Sequence, residues 1–261
     1  MHAGKGKTCH MSTHNMLAIT LHWLRQTPSF HSLAAHYHSF ARSTIQSAVY
    51  HVIDILDSHL VPLLIQPIQP SAPSSRRSSL QNVKLIIDST FIPLPAAEKR
   101  GKYYHKKSPT KAALKVEIDC DLRHRIVNVS KVVNGAVHDM KLVRQSGILQ
   151  QMNNETKAIG DKGYIGQLGI ITPARKKRKV SREVAMLQDE KARTHELQSE
   201  RAAIENINSR VKQWHVIRYI WQQEYSDYTF INKVVRAVCA LVNLTLETHP
   251  IRVDRLPLAG R

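Results

Sequence analysis

Three carboxylates in this chain stand where such side chains do chemistry. Asp88 follows the apolar run Val83, Leu85, Ile86 and Ile87 in "NVKLIIDSTFIPL". Asp161 closes "KAIGD", closely followed by Gly163 and Tyr164. Glu205 lies in "SERAAIENINSRVKQW", among Arg201, Arg210 and Lys212. A carboxylate at the end of a buried strand is costly unless it caps a turn or binds something. Carboxylates that converge repel one another unless a cation joins them, and hard oxygen donors suit Mg2+ or Mn2+. Two such ions about 3.5–4 Å apart activate water and stabilise a leaving oxygen at a phosphodiester. Taken alone, Glu205 reads first as an i, i+4 partner for Arg201, a pair worth about 0.2–0.5 kcal/mol.

The elements around these residues decide which reading holds. The continuous apolar run before Asp88 reads as a central buried strand that the carboxylate ends. "AALKVEIDC" and "RIVNVSKVV" alternate as two paired strands around the turn "DLRH". "NGAVHDMKLVRQSGILQQM" bends at Gly135 and sets Asp139 at a helix start, where Asp is ordinarily a cap or dipole partner. "KAIGDKGYIG" is a short strand ending in Asp161, and "LGIITPARKKRKV" gives one more strand. A long helix follows over about 181–214. In it Ile204, Ile207, Val211 and Trp214 form the buried face. At about 100° per residue, Arg201, Glu205 and Lys212 fall within about 40° of one another, in a stripe beside that face. If the strands of Asp88 and Asp161 are neighbours, their ends converge, and Lys212 is then placed to steady a DNA phosphate. Glu117, Asp119 and Asp121, on a strand and its turn, read as structural.

The chain has 261 residues and a net charge of +18 with pI near 10.0. Such a surplus favours a polyanion: nucleic acid first, an anionic membrane surface as the rival. No stretch reads as a membrane span or a secretory signal. Cys9, Cys120 and Cys239 are odd in number and far apart, which argues against a disulfide framework and for a reducing compartment. Cys9, His10 and His14 lack a second ligand pair at zinc spacing and read as part of a tail.

A Pro- and Ser-rich stretch, "QPIQPSAPSSRRSS", divides the chain. The organisation expected is a tail over 1–14, a helical region over 15–65, a linker over 66–80, the main domain over 81–250 and a second tail over 251–261. "HNMLAITLHWLRQT", "SFHSLAAHYH" and "ARSTIQSAVYHVIDILDSHLVPLL" read as three helices, the third capped by Ser43 or Thr44. A short helix, a turn near "SFARS" and a longer helix make a helix-turn-helix candidate, with Arg42, Ser43, Thr44, Gln46 and Ser47 at the front of the recognition helix. The plainer reading is a small helical bundle packed on the main domain. Two other stretches suit DNA. "EKRGKYYHKKSPTK" surrounds a tyrosine pair with basic residues, Lys102, Lys106 and Lys107 among them. "PARKKRKV" holds five consecutive basic residues, Arg175, Lys176, Lys177, Arg178 and Lys179, and reads as a phosphate-binding run, a nuclear import signal or both.

Taken in order, these motifs resemble the DDE superfamily endonucleases of Harbinger-type transposons and related bacterial insertion sequences. "IIDST" resembles their first Asp motif, "GKYYHKKSPTKAALKVEID" their tyrosine- and lysine-rich segment and second strand, and "NGAVHDMKL" their Gly-x-x-His-Asp turn. "GDKGY" resembles the second Asp motif and is the most specific match. "RAAIENINSRVK" resembles the Arg-x3-Glu-x6-Lys signature, although Gln198 stands where related insertion-sequence enzymes carry Tyr. The helix-turn-helix also resembles the N-terminal domain often joined to this core.

The resemblance implies an α/β fold: a ribonuclease-H-like mixed sheet flanked by helices, preceded by a small all-α helix-turn-helix domain. It implies Asp88, Asp161 and Glu205 as the catalytic triad, with Asp139 as a further metal ligand and Mg2+ or Mn2+ as cofactor. Arg201 and Lys212 join the DNA-binding residues. The implied reaction is phosphodiester hydrolysis at transposon ends followed by transesterification by the freed 3′-OH. The implied partners are double-stranded DNA, further copies of the chain and an accessory DNA-binding protein. The implied location is the nucleus, or the cytoplasm of a bacterial host. The alternative is a domesticated relative that binds DNA without cutting it. Clustered carboxylates favour the enzyme, because a pure binding module gains nothing from them.

Overall fold

The apolar run before Asp88 forms strand β1 (Val83–Pro93), but the strand does not stop at the carboxylate. Strand β2 (Ala113–Asp121) pairs antiparallel with it from Leu85↔Asp121 to Pro93↔Ala113, so the backbone of Asp88, Ser89 and Thr90 stays in the ladder despite their polarity. The computed structural model describes residues 11–75, 80–95, 101–153, 155–173, 188–224 and 227–251. Its remaining strands are β3 (Ile126–Val129), β4 (Val133–Asn134), β5 (Lys157–Ile159) and β6 (Ile170–Ile171). They form one sheet in the order β3-β2-β1-β5-β6, with β4 also on β2. β3 runs antiparallel to β2, whereas β5 runs parallel to β1 and β6 parallel to β5. The single strand expected from "RIVNVSKVV" is thus two short ones. The break falls at Ser130, whose Oγ accepts from the Glu117 N–H at 2.9 Å.

Strand alternation sends β1 side chains to two cores. Ile86 and Ile92 join the larger one, with residues of α6 (Gln188–Lys212), α7 (His215–Arg218) and α8 (Thr229–Thr248). Leu85 and Ile87 join a smaller one with Val143 of α5 (Asp139–Gln145), Ile148 and Tyr164. Of the helices described, α8 is long and apolar enough to cross a membrane, which the sequence reading did not anticipate. Ile231, Val234, Val238 and Val242 on it are buried in the core, as on the central helix of a globular domain. Its Asn243 is also buried: Oδ1 accepts from the Ile126 N–H at 2.9 Å, and Nδ2 donates to the carbonyls of Ile126 and Leu64, each at 2.8 Å.

The N-terminal region is three-helical, as its periodicity predicts: α1 (Thr13–Gln26), α2 (Phe30–His36) and α3 (Arg42–Ile55). A π-helical turn (Leu56–Leu60) and α4 (Val61–Leu64) extend α3. Ser12 and Ser29 cap α1 and α2 through backbone N–H groups three residues on. Neither Ser43 nor Thr44 caps α3; Ala41 holds that position without a side-chain bond, so both residues lie inside the first turn. These helices do not stand apart. Ile19, Trp23, Leu24, Leu33, Ile45 and Ile53 belong to the same continuous core as the sheet and α8. The Trp23 ring stacks on Phe30 at 5.9 Å and meets Phe230 at 6.2 Å. Arg236 of α8 grips Asp57 through two bonds of 2.7 and 2.8 Å. The stretch after α4 is also tied down: the Ile68 N–H donates to Gln151 at 3.1 Å and the Ser75 N–H to Val83 at 2.8 Å. Trp23→Ala is therefore expected to destabilise the whole fold by about 3–5 kcal/mol in one cooperative urea transition. A separate early transition of the helices would contradict the shared core.

Candidate active site

The carboxylates meet because of how β5 ends. β5 runs beside β1 only as far as Ile86↔Ile159. Two residues further on each strand come Asp88 and Asp161. Beyond the last paired position the β5-side edge of β1 is open, and both carboxylates stand at that opening. Asp161 leaves the strand as the cap of a short 3-10 turn (Lys162–Tyr164), its Oδ1 accepting from the Gly163 N–H at 2.6 Å. Tyr164 is buried below, with its hydroxyl donating to Glu117 at 3.2 Å, so the turn is anchored from beneath.

Asp139 approaches from α5. Its Oδ1 accepts from Ser89 Oγ at 2.8 Å and from Lys115 Nζ at 3.2 Å. Lys115 also donates to the Val137 carbonyl at 2.7 Å, which fixes the ammonium at the helix entrance. Position 163 has no room for a side chain while its two carboxylate neighbours stay in place. A β-carbon there would sit 2.5 Å from Asp139 Oδ2 and 2.8 Å from Asp161 Oδ1, so these two carboxylates flank one glycine. Gly163→Ala is expected to push both aside, costing about 1–3 kcal/mol of stability and weakening Mn2+ binding. A variant with wild-type Mn2+ affinity would show that the close approach is incidental.

Burial first, and then the charges of Asp161 and Asp139, push the Asp88 carboxyl up to about 6, against the opposing pull of Arg201. Asn208 Nδ2 donates to Asp88 Oδ2 at 2.9 Å. Sequence reading missed Asn208, although it lies seven residues after Arg201 and hence on the same flank of α6. It also passed over Ser89 and Lys115, whose roles depend on the position of α5. Glu205, by contrast, is exposed and is not among the charges that shift Asp88.

Behind Asp139 lie two buried carboxylates, Glu117 and Asp119. Burial raises both, Glu117 to about 7. Asp119 accepts from Asn128 at 2.7 Å, and Glu117 takes the Tyr164 hydroxyl. Both are buried within β2, with Glu117 Oε1 and Asp119 Oδ1 left without a hydrogen-bond partner.

The basic residues divide. The loop carrying Lys102, Lys106 and Lys107, all exposed, lies at the end of the sheet beyond Asp88, where Tyr104 bridges Ala112. His105 in this loop lies 4.6 Å from the Phe91 ring, and burial, then Lys115, Lys107 and Lys212, hold its imidazole down to about 4. Lys212 is turned inward: it donates to the Phe91 carbonyl, lies 4.6 Å over that ring, and is lowered to about 8 by burial and Arg218. In this arrangement it ties α6 to the end of β1. Arg201 is half-buried beside Asp88. Arg42, Ser43 and Thr44 are exposed at the front of α3, while Gln46 is half-buried and donates to Tyr50 at 3.4 Å. The run Arg175 to Lys179 lies outside the described residues, as do Cys9 and His10.

Three antiparallel strands continued by two parallel ones, with helices on both faces and acidic residues at the opening of the central strand, define a mixed α/β nuclease-type core. A family model described as DDE superfamily endonuclease matches residues 87–243, more than half of the chain, and the chain belongs to that family. No curated protein and no solved structure matches it.

Among the described residues, no three or more His, Cys, Asp or Glu side chains are close enough together to hold a metal ion. The donor set nonetheless suits a hard divalent cation. Asp88, Asp139 and Asp161 supply carboxylate oxygens, burial and then their mutual repulsion raise Asp88, and the buried Asn208 Oδ1 has no hydrogen-bond partner. Asp88 and Asp161, with Asp139 beside them, are the residues that would hold it.

Proposed function

We propose that this endonuclease cuts and joins DNA phosphodiesters at transposon ends, using Asp88 and Asp161 with a divalent metal, Mg2+ or Mn2+. The observation that carries the proposal is the register: parallel neighbours place Asp88 and Asp161 equally far past Ile86↔Ile159, with Asp139 across Gly163. When bound, the ion supplies Lewis acidity at the phosphodiester. The chain's own residues do the rest. Gly163 N–H and Tyr164 fix Asp161; Ser89 and Lys115 fix Asp139; Arg201 offsets the charge on Asp88. Lys102, Lys106 and Lys107 offer phosphate contacts at the same end of the sheet. Glu205, exposed on α6 about 60° around the helix from Asn208, is the third member of the triad in this reading.

The N-terminal helices extend the reading. A short helix, a turn and a longer helix with exposed Arg42, Ser43 and Thr44 at its front support duplex binding through α3. Assembly of several copies on two DNA ends, help from an accessory DNA-binding protein, and nuclear import through Arg175 to Lys179 in a nucleated host belong to the same proposal. The test is incubation of the protein with DNA carrying the element's terminal repeats, with and without Mn2+. Metal-dependent strand cleavage at the repeat ends supports the proposal; binding without cleavage in either condition overturns it.

The Asp88 shift adds a pH signature. Its folded pKa of about 6 lies above the ordinary 3.8, so the folded protein binds more protons between these values. In the absence of metal, this group's contribution to stability falls as pH rises through that window. A cation must displace the same proton, so thermal stabilisation by Mn2+ is expected to grow between pH 5 and 7 and then level off. Stabilisation independent of pH over that range would show that Asp88 does not meet the ion.

A further inference from the structure

The flank of α6 that faces Asp88 carries an amide, and its hydrogen bonding is lopsided. Asn208 Nδ2 donates to Asp88 Oδ2 at 2.9 Å. The amide is oriented with nitrogen toward the carboxylate, since the reverse would set two acceptors against each other. Its Oδ1 is buried with no partner, and on the same flank Arg201 Nε is also buried without one. A buried polar atom left unpaired is destabilising. Two of them on one flank, seven residues apart, are not explained by packing alone. Glu205, the residue sequence comparison brings to this helix, faces solvent about 60° away.

We propose that Asn208 is the positioning residue of Asp88. Its N–H engages Oδ2 and fixes the carboxylate plane, leaving Oδ1 of Asp88 for the divalent cation. The inference rests on the metal-dependent reading above and adds to it a residue that works through Asp88. Partners of this kind around metal ligands typically set affinity by about 10–100-fold. The opposite role is also physically available: an amide that occupies the cation's place until α6 rolls. The two roles predict opposite signs, which makes the experiment decisive.

The measurement is Mn2+ affinity of the full chain, by titration followed through the electron paramagnetic resonance of free Mn2+, without DNA. Wild type, Asn208→Leu, Asn208→Gln, Asp88→Asn and Asp88→Asn/Asn208→Leu are compared, and circular dichroism confirms that each is folded. Asn208→Leu is expected to bind Mn2+ about 10-fold more weakly, Asn208→Gln to recover part of the loss, and the double variant to match Asp88→Asn. Unchanged or tighter binding by Asn208→Leu overturns the proposal. So does an equal further loss in the Asp88→Asn background, because the amide would then act on the fold and not through Asp88. If Asn208→Leu does not fold, the comparison of Asn208→Gln in the wild-type and Asp88→Asn backgrounds decides on the same terms. Failure of the wild type itself to bind Mn2+ would instead sink the metal-dependent function, and this inference with it.

Discussion

Asp161→Asn is expected to lower Mn2+-dependent cleavage of terminal-repeat DNA by about 1,000-fold or more while the protein melts at the wild-type temperature. The first half follows from the site: Asn is a neutral and poorer ligand, and groups that act as a catalytic unit lose most of their activity when one is removed. The second half follows from what Asp161 does for the fold. It caps a single turn by accepting from the Gly163 N–H, and an Asn side-chain oxygen accepts the same bond. Removing one charge beside Asp88 and Asp139 also relieves repulsion. The outcome is read from gel-resolved cleavage rates beside a thermal melt. Equal cleavage by both proteins would remove Asp161 from the mechanism; loss of the fold would make it a structural cap.

The second large effect lies behind the site. Lys115→Met is expected to cost about 3 kcal/mol. The Lys115 and Asp139 side chains are 10% and 22% exposed, so the ammonium is the main counter-charge for a carboxylate crowded by Asp88 and Asp161. Removing one partner of a buried pair costs about 3–5 kcal/mol, and the partial exposure of Asp139 puts this pair at the lower end. The Val137 carbonyl also loses its donor. The urea midpoint should fall with an unchanged slope. Asp139→Asn added to Lys115→Met should restore much of the loss, since it removes the stranded charge. Mn2+ should stabilise Lys115→Met more than wild type, because a cation at the carboxylates then replaces a missing one. A loss below about 0.5 kcal/mol, the scatter of ordinary surface changes, would show that solvent screens Asp139 well enough without Lys115.

Local patterns carried the sheet and most of the acidic centre. Alternation in "AALKVEIDC" and the apolar run before Asp88 gave β2 and β1, and "KAIGD" gave β5 with Asp161 just past its end. These are strand-scale signals that survive tertiary packing. The extent of β1 was not legible from Asp88–Thr90, because a polar triplet reads as a strand end unless the partner strand is known to continue. β2 continues, and the ladder overrides the local polarity. The single strand read in "RIVNVSKVV" broke at Ser130, whose bond to β2 replaces a ladder contact.

Helix rotation was the harder quantity. Ile204, Ile207 and Val211 lie on the buried face of α6, as their spacing predicts, whereas Trp214 falls beyond the end of that helix and is half-buried. A shift of about 60° nevertheless decides whether Glu205 or Asn208 meets Asp88. That angle is set by the sheet beneath the helix and has no signature in the helix sequence. Lys212 shows the same limit. Its stripe beside the core suited a phosphate contact, yet the neighbouring Phe91 carbonyl and ring hold it inside. The bonds of Ile68 and Ser75 to the main domain likewise depend on surfaces that composition does not describe.

Asp88 and Asp161 are proposed to hold one divalent cation at the opening of the sheet. The most direct test is a crystal of the protein soaked in Mn2+ and measured at the manganese absorption edge. An anomalous peak is expected within about 2.0–2.3 Å of a carboxylate oxygen from each of Asp88 and Asp161. No peak there, or a peak held by Glu205 with neither aspartate, would contradict it.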